Sequence, residues 1–188
     1  AIDRARRLAS DANRQDIARL SDTFVEFSKL FGRVVAIKGE NASVAANQLN
    51  RFGNTLRYKF DDLSDTAIMM GDSSLQSTLK ELLPQAAAIS ANISNYVARP
   101  DKAVASGVNA RMQMLKSSLS SLNSSDARIA PKITEIAEQL NVYRATFATF
   151  VDNTALIDQL NAKMGDAAKA ITQDAKAIKE GLLVRQEA

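Results

Sequence analysis

The sequence predicts an all-α protein: an up-down four-helix bundle built from two long and two short antiparallel helices, with the long helices extending beyond the bundle into a second module. Three observations predict it. Apolar residues recur at helical spacing along nearly the whole chain. Only 7 Gly and 3 Pro occur in 188 residues, too few for the turns of a β protein. Those breakers, with clusters of capping residues, divide the chain into long, short, short and long segments. At 46% hydrophobic and 24% charged, the chain can fill a core of its own.

Ile2, Ala5, Leu8, Ala9 and Ala12 suggest the last turns of a preceding helix, with Asn13-Arg14-Gln15 as its turn. The first long helix is expected from about Asp16 to Met70. Its apolar stripe runs through Ile17, Leu20, Phe24, Phe27, Phe31 and Val34, then Ala45, Leu49, Phe52, Leu56, Leu63, Ala67 and Met70. Lys38 and Asn41 interrupt the stripe. Gly32, Gly39 and Gly53 lie within it, each costing a helix up to about 1 kcal/mol, so a soft middle near "IKGEN" is expected.

Gly71 ends that helix and Asp72 or Ser73 caps the next. The next helix carries Leu75, Leu79, Leu82, Ala86, Ile89, Ile93 and Tyr96, with Pro84 predicting a kink or a fresh start. It stops at Ala98-Arg99, because a residue preceding proline is pushed out of helical conformation. Pro100-Asp101 opens the second short helix, with Val104, Val108, Met112, Leu115, Leu119 and Leu122 on one face. Asn123-Ser124-Ser125-Asp126 is a capping corner. From about Ala127 the last helix carries a stripe from Ile129 to Leu182, and some 60 residues at 1.5 Å rise give about 90 Å. Short corners make neighbours antiparallel. The bundle is expected over 41–155, with helical halves 1–40 and 156–188 outside it.

Composition also excludes function classes. Net charge is +3, with both signs interspersed, a weak footprint for nucleic acid. With 0 His and 0 Cys, the commonest general base, the commonest metal ligand and thiolate chemistry are all missing, so neither an enzyme nor a bound cofactor or metal is expected. No run approaches the roughly 20 apolar residues of a membrane span, and the charged N-terminus AIDRARRLASD is unlike a signal peptide. The chain starts without Met and in mid-pattern, so it is expected to be a soluble piece of a longer protein.

The stretches "FVEFSKLFGRVVAIKGENA", "ISNYVARPDKA" and "LNVYRATFATFVDN", in this helical order, resemble the helical bimodular sensor domain of bacterial chemoreceptors, the methyl-accepting chemotaxis proteins. The resemblance covers most of the chain. It implies a single extracytoplasmic sensor region over 1–188, periplasmic, in a parent chain that spans the inner membrane. Its distal bundle would be 41–155, and 1–40 with 156–188 would be membrane-proximal. It further implies recognition of a small organic acid, a transmembrane signal for chemotaxis, and work as a homodimer. The first helix of that family and most of the second have no counterpart here, nor do the ligand arginines of the first helix. The other readings are the sensor domain of a histidine kinase, or a helical scaffold or adaptor without a small ligand.

Counting down from the turns at Asp72 and Ser124 places Asn54, Arg57, Asn92, Arg111, Tyr143 and Arg144 at one height in the bundle. Arginine with tyrosine and asparagine supplies the fixed cationic and neutral donors that a carboxylate needs, so these six are the candidate ligand-binding residues. Arg51, Tyr96 and Arg99 are weaker candidates. Residue by residue the bland account competes: an arginine on a bundle helix usually lays its stem over apolar surface. Tyr143 falls in the apolar stripe, where a core tyrosine needs only one hydrogen-bond partner. Tyr96 and Arg99 either close the bottom of the bundle or floor the cleft. Lys38, Asn41, Thr154 and Asn161 interrupt the stripes at a common height, as a wet joint or a slip plane. Phe24, Phe27, Phe31, Ile157, Leu160, Met164 and Ile171 are expected to be exposed unless a second copy covers them.

Overall fold

Helix is the only regular structure in the computed structural model, which describes residues 11–122 and 124–186. In chain order it comprises α1 (Asp11–Val44), a five-residue π-helical turn (Ala45–Leu49), α2 (Asn50–Met70), α3 (Ser73–Ala98), α4 (Lys102–Ser121) and α5 (Ala130–Gln186). The expected helix over Ile2 to Ala9 lies outside the described residues, as does Asn123. Asn13-Arg14-Gln15 form no turn: α1 already runs through them. None of the three is Gly or Pro, so nothing in their backbone chemistry stops a helix.

The ends of the short helices follow from local chemistry. Gly71 takes the left-handed conformation (φ 68°) that closes α2, and its N–H bonds back to the carbonyls of Ala67 and Ile68. The Asp72 carboxylate accepts from Leu75 N–H at 2.9 Å and caps α3. Arg99, held extended before Pro100, ends α3, and Asp101 caps α4 by accepting from the N–H groups of Ala103 and Val104. Pro84 neither breaks α3 nor restarts it. The proline is exposed, so the Lys80 carbonyl that it leaves without an intrahelical partner lies on the solvent side. The last helix begins three residues later than the sequence suggests, because Asp126 first accepts from Arg128 N–H in a turn.

The soft stretch between α1 and α2 falls at Ala45–Leu49, after Ile37-Lys38-Gly39-Glu40-Asn41. Its cause is spacing. Asn41, Ala45, Leu49 and Gly53 all face inward, and each step of four residues overshoots a 3.6-residue turn by about 40°. Three such steps swing the stripe by about 120°. One extra residue, taken up by the wider π turn, restores it and leaves Leu49 1% exposed.

The chain divides into two compact units. In Glu40–Thr154, four helical segments share one core, with Phe60, Leu63, Ile89, Val108, Leu115 and Phe147 among its most buried residues. Tyr96 is buried there, its ring edge-on to Phe147 at 5.3 Å and to Phe150 at 6.2 Å. Asn41 is buried too. Its amide donates to the Phe150 carbonyl and to Thr154 Oγ1, while its own oxygen accepts from Asn153, so no polar atom of that side chain is stranded. Lys38 and Asn161, expected at the same height, are exposed.

The other unit comprises the described residues up to Gly39 and those from Ala155 onward. Leu30 and Val34 pack on Leu160, flanked by Ile37, Leu156, Ile157 and Met164, and Arg19 pairs with Asp174. The expected exposure therefore shrinks on α5, where Leu160 is covered and Ile157, Met164 and Ile171 are half-buried. On α1 it persists at Phe24 and Phe31, each 54% exposed, but not at Phe27, which is half-buried.

Candidate functional site

Within the Glu40–Thr154 unit, α2 and α3 leave a cleft of about 470 Å³ between them. Helical periodicity places its lining. On α2, Asn50, Gly53, Asn54 and Arg57 stand at i, i+3, i+4 and i+7, one face of a helix. On α3, Leu83, Ala86, Ala87, Ser90 and Ser94 make the facing stripe, and Tyr143 of α5 closes the back. The small residues of α3 cannot fill the space opposite α2, so the cleft stays open.

Gly53 decides how Tyr143 enters. A Cβ on Gly53 would stand 3.0 Å from the tyrosine hydroxyl and 2.9 Å from Ser90 Oγ. Glycine lets the phenol reach Ser90 without displacing either hydroxyl, and a side chain larger than a methyl group would block it. The ring is 2% exposed, and its hydroxyl hydrogen-bonds with Ser90. Burial pushes the Tyr143 phenol above its ordinary range, an effect partly offset by the Ser90 hydrogen bond. At neutral pH the cleft thus offers a neutral phenol, able to donate or accept.

At the other edge, Arg57 is exposed and has no carboxylate partner among the described residues. Asn54 follows it towards the tyrosine, which sits level with Gly53, and Asn50 lies beyond, with Ser94 facing it from α3. The polar lining is one guanidinium, two carboxamides, two serine hydroxyls and a phenol, with no acidic side chain. This set suits an anion with a small apolar body: Arg57, the asparagines and the hydroxyls supply cationic and neutral donors, and Leu49, Leu83, Ala86 and Ala87 supply apolar wall between them. Among the described residues, no group of three or more acidic side chains is placed to hold a metal ion.

Of the six main candidates, Asn54, Arg57 and Tyr143 come together in the cleft, and the other three do not line it. Asn92 is half-buried two residues past Ser90, about 200° around α3. Arg111 is exposed on α4. Arg144 points about 100° away from Tyr143 and donates to Gln113 Oε1 at 3.3 Å, over α4. Arg51 and Arg99 are exposed outside the lining, and Tyr96 is a core residue. Sequence reasoning missed Asn50, Gly53, Ser90 and Ser94. Their signal was angular: Ala87, Ser90 and Ser94 form a small, polar face at helical spacing, opposite a glycine flanked by asparagines.

The phenol yields a pH prediction. A folded value above that of the unfolded chain means its contribution is intact below the unfolded tyrosine value, about 10, and is lost as pH rises through the folded value. Between pH 9 and 11.5 the melting temperature of the native protein should therefore fall more steeply than that of Tyr143→Phe. Parallel curves for the two proteins would contradict the burial of this hydroxyl.

A comparison with family models returns no match, and no curated protein matches the chain significantly.

Proposed function

We propose that Glu40–Thr154 is a ligand-sensing unit, an up-down four-helix bundle that recognises a small carboxylate in the cleft between α2 and α3. The antiparallel arrangement is supported by the pairs along α2 and α5. Phe52 accepts from Gln139, Lys59 pairs with Glu135 and Asp62 with Lys132, so numbers rise on one helix as they fall on the other. The observation that carries the ligand reading is Arg57, a cation without a carboxylate partner among the described residues, at the edge of a cleft whose other polar groups are neutral donors.

In this reading the unit is the distal part of a periplasmic sensor region of a chemoreceptor, as the resemblance implies. The remaining helical halves are membrane-proximal, and two copies associate. Ligand occupancy biases two packings of the helices, and the signal leaves along α1 and α5, whose residues extend beyond this unit at both ends. No described helix is long and apolar enough to cross a membrane; membrane spans in a parent chain are what the resemblance implies.

The test is calorimetry with acetate, propionate and succinate on the native protein and on Arg57→Gln. Loss of a hydrogen bond to a charged group costs about 1.5–3 kcal/mol, so affinity should fall about ten- to a hundredfold. Equal affinity in the variant, or no heat with any acid, would overturn the reading. The competing one, a helical scaffold, draws on the exposed Phe24, Phe31 and Val35 of α1; in it, Arg57→Gln changes nothing.

A further inference from the structure

The cleft at Arg57 does not end at Asn50. A second cavity of about 280 Å³ adjoins it, sharing Leu49, Asn50 and Ser94. Its further walls are Ala42, Ala45 and Ala46 on one side, Ile93 and Val97 on the other, and none of them is polar. Gly53 stands beside Ser90, while Arg57 shares the first cavity with Leu83 and Ala45 shares the second with Val97. The two cavities therefore lie end to end along the helix pair. At 1.5 Å per residue, the distance from Arg57 to Ala42 is roughly 20 Å.

Charge is confined to one end of this groove. A compact acid held at Arg57 would leave the alanine-lined slot empty. A dicarboxylate long enough to reach the slot would put its second charge beside apolar groups, with no counter-charge lining the slot to offset the hydration it gives up. The shape and polarity fit a linear molecule with one anionic head.

We propose that the ligand is a linear monocarboxylate with an unbranched apolar tail, a medium-chain fatty acid. Its head lies at Arg57 and Asn54, and its tail runs past Tyr143 and Ser94 into the slot over the π turn. This rests on the carboxylate reading above and extends it from the head to the tail. The surplus residue of the π turn is part of the site, because it turns Leu49 and Asn50 to where the two cavities meet.

The experiment is a homologous series of acetate, hexanoate, octanoate, decanoate and dodecanoate below micellar concentration, titrated by calorimetry into the native protein, the longer members being those whose tails reach from Arg57 past Asn50 into the slot. Each methylene entering the slot should tighten binding, by at most about fourfold when it is fully covered. Ala46→Trp, a substitution at an exposed position of the slot, should flatten the series and leave acetate unchanged; unchanged acetate binding also reports an intact fold. Ala42→Phe, at the exposed far end of the slot, should weaken only the longest acid, dodecanoate. A flat native series in which acetate still depends on Arg57 overturns the tail and leaves the carboxylate reading standing. A steep series that survives both slot variants, or octan-1-ol binding as tightly as octanoate, also overturns it. If no acid binds, both proposals fall.

Discussion

Phe147→Ala is expected to cost about 3–5 kcal/mol, a large share of the 5–15 kcal/mol that holds a typical domain together. Phe147 is fully buried and its ring meets Tyr96 edge-on with an interplanar angle of 78°. Truncation removes the transfer energy of the ring and the edge-to-face contact together. The void it leaves is walled by ring and branched side chains with little freedom to collapse. Val142→Ala, five residues away and 47% exposed, should change stability by no more than about 0.5 kcal/mol. Urea denaturation of both variants checks the contrast. A Phe147→Ala protein within 1 kcal/mol of native, about the cost of an ordinary substitution, would mean that this core is not packed as described.

The second large effect is expected at Gly53, where sequence and structure give opposite advice. Helix propensity says that any side chain improves on glycine, by up to about 1 kcal/mol for alanine. The neighbours say otherwise. A methyl group there meets Ser90 Oγ at 2.9 Å, which can rotate away, and the Tyr143 hydroxyl at 3.0 Å, which sits on a rigid buried ring. Gly53→Ala therefore sets a small gain against a small clash. Gly53→Leu has no such escape and should destabilise by about 1–3 kcal/mol as an overpacked site. It should also fill the cleft, so that acid binding is lost even in conditions where the protein stays folded. Denaturation together with calorimetry on the leucine variant tests both parts, and a Gly53→Leu protein that is stable and still binds would show that Tyr143 does not reach past α2.

The legibility of this molecule divides along a physical line. The ends at the two corners flanking α3 were legible, because Gly71, Asp72, Pro100 and Asp101 act through their own backbone or through a neighbour two or three residues away, whereas the expected turn at 13–15 and the start near Ala127 were not. Heights in the bundle were legible too, since rise per residue is constant, and Asn54, Arg57 and Tyr143 do share a level. Direction was not read. Arg144 and Asn92 stand at the right height on the wrong side of their helices, and only the facing partner shows which side is right. By helix propensity Gly53 is a weakness, whereas its role lies in a contact made from another segment, 90 residues along the chain. The π turn was written in the four-residue steps from Asn41 to Gly53, which look like an ordinary stripe until their angular drift is added up.

That turn also bears on how such a chain can change length. Insertions and deletions ordinarily accumulate in surface loops, because a residue gained inside a regular element rotates everything beyond it. Here the rotation is already absorbed: between Ala45 and Leu49 the chain holds one residue beyond what a uniform helix needs, and the core on either side stays in register. The connecting corners, by contrast, are as short as two residues between α2 and α3 and three between α3 and α4. The place with slack for a single-residue indel is therefore inside the longest continuous run of the first half of the chain, beside its cleft.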